Sequence, residues 1–66
     1  MMTLSINGET KEFATILTLP ALLRDLQLEG KPVVVELNRE ALSPSEFDRN
    51  LNNGDQLEII TIAAGG

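Results

Sequence analysis

A chain of 66 residues with 10 acidic and 5 basic side chains, and with no cysteine or histidine, excludes much before any pattern is read. One domain is the most it can form, and disulfides, thiolate nucleophiles, soft-metal sites and imidazole acid–base chemistry are absent with the residues that carry them. The basic residues Lys11, Arg24, Lys31, Arg39 and Arg49 form no stripe, and Phe13 and Phe47 are the only aromatics, so a nucleic-acid surface is not expected.

A domain this small buries only about 60% of the surface its unfolded chain exposes. With no covalent staple it depends on packing, and a hydrophobic content of 42%, mostly Leu, Ile and Val, is enough to supply one core. The net charge of −5 suits either solubility or a basic protein partner. No apolar run approaches the ~20 residues of a membrane span. No basic region followed by an apolar core opens the chain, so a cytoplasmic protein is expected, monomeric when alone.

Met2-Thr3-Leu4-Ser5-Ile6 alternates apolar and polar residues, the pattern of a half-buried strand. Asn7-Gly8 is a strong hairpin signal, because both central residues of such a turn need positive φ. A second strand follows over Glu9–Ala14. A two-residue turn pairs Met2 with Phe13 and Leu4 with Lys11, with Met2, Leu4 and Ile6 facing the core and Thr3 and Ser5 facing away.

Leu19, Leu22, Leu23 and Leu26 make one helical stripe. Thr18 is the expected N-cap, Pro20 fits the first turn, and Leu17 with Leu22 makes a hydrophobic staple. Arg24, Asp25 and Gln27 lie on the wet side, and Gly30 is read as the stop. Pro32–Leu37 is β-branched and reads as a strand, with Val33, Val35 and Leu37 on one face and Val34 and Glu36 on the other. Asn38-Arg39-Glu40 turns into a brief Ala41-Leu42 strand. Ser43-Pro44-Ser45-Glu46 has the form of a capping box stapled by Leu42 and Phe47, predicting a helical turn over Pro44–Arg49. Leu51 plugs the core edge, Asn52-Asn53-Gly54-Asp55 is a turn cluster, and Gln56–Ile62 is the last strand. This order predicts an α+β roll: a mixed sheet of four to five strands, one helix across one face, and the first and last strands parallel in the middle. Residues 1–62 form the single domain and residues 63–66 a flexible C-terminal tail.

The last strand is apolar on both sides. One side packs on the helix; Ile60 and Ile62 on the other, with Val34, fall on the uncovered face. Isolated surface apolars are common, but three beside the exit of the chain read as a partner-docking patch. Ala63-Ala64-Gly65-Gly66 has neither bulk nor charge, and another protein's backbone can close around glycine. Two terminal glycines arise by accident in roughly 1 chain in 200. The terminal carboxylate of Gly66 is thus the candidate reactive group, with Ala63, Ala64 and Gly65 presenting it. A carboxylate is a poor electrophile until it is converted to an acyl-adenylate. The chain has neither G-x-x-x-x-G-K-[ST] nor G-x-G-x-x-G, so it is expected to be a substrate or carrier rather than an enzyme, with no resident cofactor or metal.

Gly54-Asp55-Gln56-Leu57-Glu58-Ile59-Ile60 followed by Ala63-Ala64-Gly65-Gly66 resembles the closing motif of the ubiquitin-like β-grasp sulfur carriers, most nearly the ThiS family of thiamin biosynthesis. Thr18-Leu19-Pro20-Ala21-Leu22-Leu23 resembles that family's helix start, Val35-Glu36-Leu37-Asn38 its third strand, and Ser43-Pro44 with Phe47 its connector. The resemblance implies that a ThiF-like adenylyltransferase adenylates Gly66 with ATP. A persulfide sulfur-donor protein then supplies the sulfur of a thiocarboxylate, and thiazole synthase takes that sulfur into the thiamin thiazole ring. Open beside it are the small subunit of molybdopterin synthase, which also ends in Gly-Gly, a ubiquitin-like modifier joined to lysines, and a plain β-grasp binding module.

Overall fold

The hairpin at the start of the chain sets the geometry. In the computed structural model, which describes residues 1–14 and 17–62, β1 (Met2–Ile6) and β2 (Glu9–Phe13) pair antiparallel from Ile6↔Glu9 to Met2↔Phe13. Asn7 (φ 52) and Gly8 (φ 84) close it with the backbone such a two-residue turn requires. Met2, Leu4 and Ile6 are buried, as the alternation predicts.

Thr18 caps α1 (Leu19–Asp25): its hydroxyl accepts the Ala21 N–H at 3.2 Å, and Pro20 sits in the first turn. Leu19 and Leu22 are fully buried against the sheet, whereas Leu23 and Leu26 are half-buried at its rim. The helix does not stop at Gly30. It ends at Asp25 with Leu26 as the C-cap, and Gln27 takes the left-handed conformation at φ 63. The Gln27 N–H donates to the Arg24 carbonyl at 3.0 Å and the Leu28 N–H to the Leu23 carbonyl at 2.8 Å. These are the two bonds of a Schellman cap. Leu28 then turns back toward the core beside Leu23, which fixes the stop earlier than the nearest glycine.

β3 (Val33–Leu37) buries Val35 and Leu37 and turns Val34 and Glu36 outward. A second two-residue turn, Asn38 (φ 51) and Arg39 (φ 72), leads into β4 (Glu40–Ala41). That strand lies one residue earlier than the predicted Ala41-Leu42, because the Leu37↔Glu40 pair closes the turn at two residues. The helical turn predicted over Pro44–Arg49 is shorter, a 3-10 turn over Pro44–Glu46. The Glu46 carboxylate accepts the Ser43 N–H and hydroxyl, both at 2.9 Å. These two bonds hold its pKa below the ordinary value. The chain then leaves the helical path because Arg49 to Leu51 bond to the start of α1: the Leu19 N–H donates to the Arg49 carbonyl, and the Leu51 N–H to the Leu17 carbonyl. Leu51 is 1% exposed, a full core residue rather than an edge plug.

β5 (Gln56–Thr61) completes the sheet, whose strand order is β2-β1-β5-β3-β4, with β5 parallel to β1 and antiparallel to β3. It ends one residue short of the predicted Ile62, although the Ile62 N–H still donates to the Pro32 carbonyl at 3.0 Å. The result is the expected α+β arrangement, a mixed five-stranded sheet with one helix on one face. Leu57 and Ile59 join the core with Leu4, Ile6, Val35 and Leu37. Among the described residues no helix is long and apolar enough to cross a membrane.

Candidate functional site

The predicted reactive group on Gly66, and the presenting residues Ala63, Ala64 and Gly65, lie outside the described residues. The structure does give the ground from which they leave. β5 runs down the middle of the sheet and carries the chain out past Thr61, which pairs with Val33 at the start of β3.

On that open face Val34 stands directly across from Ile60 in the β3–β5 ladder. Ile62 lies two residues beyond Ile60, on the same side. Val34 is 43% exposed, Ile60 59% and Ile62 52%. The three candidate docking residues are therefore contiguous, beside the exit of the chain. The face changes character away from that exit. Glu36 is paired with Glu58, and Ser5 with Gln56. Ser5, Gly8, Glu36, Arg39, Gln56 and Glu58 line a shallow polar groove of about 350 Å³ there. Thr10 and Ser5, paired across the hairpin, continue the polar surface to the sheet edge. The surface is thus an apolar patch at one end and a polar, largely acidic field at the other. Among the described residues no three His, Cys, Asp or Glu side chains are placed to hold a metal ion.

Two residues read from the sequence only as turn formers do more. Each is the first residue of a two-residue turn, and each sends its side-chain amide to the backbone of β5. The Ile59 N–H donates to Asn7 Oδ1 at 2.8 Å, and Asn7 Nδ2 donates to the Ile59 carbonyl at 3.1 Å. At the start of the strand and on its other edge, the Gln56 N–H donates to Asn38 Oδ1 at 2.9 Å. Asn38 Nδ2 also donates to Asp55 Oδ1 at 3.1 Å. The only sequence signal for either contact is asparagine at the first turn position, which the turn conformation alone already explains.

The sequence model of the ThiS family matches residues 4–66, nearly the whole chain and its terminal glycine pair. The chain belongs to the ThiS family. A crystal structure of the thiamine biosynthesis protein ThiS from Geobacter metallireducens superposes with a TM-score of 0.81 at 32% identity, over 98% of this chain and 100% of that one. The β-grasp fold is therefore shared along with the family. A thiazole synthase of Paramagnetospirillum magneticum is 39% identical over 66 residues, 98% of this chain and 20% of the relative. This chain thus spans about a fifth of that relative's length. The uncharacterized protein ycf40 of Pyropia yezoensis is 38% identical, over 98% of this chain and 93% of its own length.

Family membership makes this ThiS-family chain a small sulfur carrier, something acted upon rather than a catalyst.

Proposed function

We propose that the chain carries sulfur for thiamin thiazole formation as a thiocarboxylate on Gly66. The observation that carries this reading is the family match running through Gly66, in a chain with no cysteine on which sulfur could otherwise ride. The Gly66 carboxylate attacks the α-phosphate of ATP in the site of a ThiF-like adenylyltransferase, and pyrophosphate leaves. The resulting acyl-adenylate is an electrophile with AMP as its leaving group. A persulfide on a donor protein attacks the acyl carbon and AMP departs. A thiol then cleaves the S–S bond left on the carbonyl, releasing the thiocarboxylate. Thiazole synthase is the acceptor, and the relative bearing that name, which includes a segment matching this chain, supports it. The chemistry is placed in the cytoplasm, where ATP is at hand.

Val34, Ile60 and Ile62 are the docking surface in this reading, and Ala63, Ala64 and Gly65 supply clearance. Glycine lets the walls of a narrow active site close on the backbone, so a side chain at the last position blocks entry without touching the fold.

The test is to incubate the chain with ATP, a ThiF-like adenylyltransferase and a persulfide donor, and then measure its intact mass. The expected product has one oxygen replaced by sulfur. Deleting Gly66, or Gly66→Val, is expected to abolish both AMP formation and the mass change while the unfolding midpoint stays at the wild-type value. Retained adenylation of either variant refutes the assignment of Gly66. Species joined to lysines by isopeptide bonds, in place of the exchanged terminus, identify a modifier instead.

A further inference from the structure

We propose that Asn7 is a positioning residue for the carrier's partner-facing strand end, clipping β5 at Ile59 so that Ile60 and Ile62 are held along one fixed line. The inference rests on the carrier reading above and adds a residue to it.

Little of β5 is held by backbone bonds on both sides. β1 pairs with β5 only at Ser5↔Gln56 and Ile6↔Leu57, and the last backbone bond between them is the Asn7 N–H to the Leu57 carbonyl at 2.9 Å. The chain then reverses through Asn7-Gly8 into β2. From Glu58 onward β5 would have backbone support only from β3, through Glu36↔Glu58, Val35↔Ile59, Val34↔Ile60 and Val33↔Thr61, and from the Ile62 N–H bonded to the Pro32 carbonyl.

The Asn7 side chain extends the missing ladder by one step. Its amide oxygen accepts the Ile59 N–H and its amide nitrogen donates to the Ile59 carbonyl. A primary amide presents the same acceptor and donor as a peptide unit, so it stands in for the next residue of β1. Ile59 thereby becomes the last residue of the strand tied on both edges. A partner that binds a strand end already fixed loses less freedom on association than one that must order it. The effect belongs in the affinity for the carrier and not in the rate of chemistry on bound carrier.

Asn38 supplies a matched comparison, because it makes the same kind of contact at Gln56, at the other end and edge of the same strand. Asn7 and Asn38 sit at φ 52 and φ 51, where glycine is at ease. Asn7→Gly and Asn38→Gly therefore keep the turns and remove only the amides.

The experiment measures backbone amide exchange by NMR and adenylation kinetics with a ThiF-like adenylyltransferase, on the wild type, Asn7→Gly, Asn7→Asp and Asn38→Gly. In Asn7→Gly the Ile59 amide is expected to exchange about tenfold faster, and the KM for the carrier to rise by about tenfold with kcat held, the ratio that loss of one or two such hydrogen bonds sets. Asn7→Asp keeps the acceptor and loses the donor, so it is expected to fall between glycine and the wild type. Asn38→Gly is expected to lower the unfolding midpoint comparably yet leave KM unchanged. Unchanged exchange and KM in Asn7→Gly overturn the proposal, as does a KM rise in Asn38→Gly equal to that in Asn7→Gly, which would assign the effect to global stability. A wild type that yields no AMP overturns the carrier reading and this inference with it. A processed wild type with indifferent Asn7 variants overturns this inference alone.

Discussion

Replacing Ile60 separates docking from folding, because its side chain contributes to the fold by less than half. Fully burying an isoleucine is worth about 1.5–3 kcal/mol. Ile60 is 59% exposed, so a partner that covers the remainder gains about 1–2 kcal/mol from it. Ile60→Ala is therefore expected to weaken partner binding about tenfold. Ile60→Asp adds a charge that must be desolvated against an apolar surface, and its expected loss is about a hundredfold or more. The fold has less at stake, because the side chain at this position points away from the core. The assay is calorimetric titration of each variant into a ThiF-like adenylyltransferase and into thiazole synthase, with urea unfolding in parallel. Thr10→Asp places the same charge on the same face, across from Ser5 at the sheet edge, and is expected to change neither quantity. Wild-type affinity of Ile60→Asp for both proteins removes the patch from the account. A fall in affinity matched by Thr10→Asp assigns the effect to net charge.

Three further outcomes follow from the packing and the caps. Leu22→Ala is expected to cost about 2–5 kcal/mol in urea unfolding, because Leu22 is fully buried. Leu23→Ala should cost less, since Leu23 is only half-buried at the rim. Gln27→Gly is expected to stabilise by about 1 kcal/mol and raise Tm by about 4–8 °C, because it relieves a side chain held at positive φ. A lower Tm for this variant would mean that the Gln27 side chain makes a contact worth more than the strain. Glu46 has a lowered folded pKa, so its contribution is fully present above the ordinary glutamate value and is lost as pH falls through the lowered folded one. Glu46→Gln is accordingly expected to be less stable than the wild type near neutrality, with the two urea midpoints converging in acid.

The parts of the fold legible in the sequence are those that local chemistry decides. Asn7-Gly8 sets a two-residue turn, and that turn with the alternation of β1 sets the register through to Met2↔Phe13. Thr18 and Pro20 mark the start of α1 in the same way. The helix stop was not legible, because Gln27 takes a conformation that its residue type disfavours. What holds it there is the Leu28 N–H bonded back to the Leu23 carbonyl and the half-buried Leu23 and Leu28 against the core. The predicted turn beyond Glu46 fails for a tertiary reason as well: Arg49 and Leu51 are drawn into backbone bonds with Leu19 and Leu17. At the candidate site, alternation alone places Val34, Ile60 and Ile62 on the open face. The contacts of Asn7 with Ile59 and of Asn38 with Gln56 span 52 and 18 residues of sequence. They exist only once β5 is inserted between β1 and β3.

That insertion explains why a strand with apolar residues on both faces needs clips at all. A one-residue slip in a sheet exchanges the two faces of a strand. In β5 a slip would turn Leu57 and Ile59 outward and bring Ile60 and Ile62 toward the core, with only Glu58 strongly opposing the exchange. An apolar outer face weakens the hydrophobic specification of register. Hydrogen bonds from asparagines held in tight turns read backbone position rather than side-chain polarity. Asn38 fixes Gln56 on one edge and Asn7 fixes Ile59 on the other, so both bonds are lost together if the strand moves by one residue. Each bond accordingly adds to the register specification that the apolar outer face of β5 weakens.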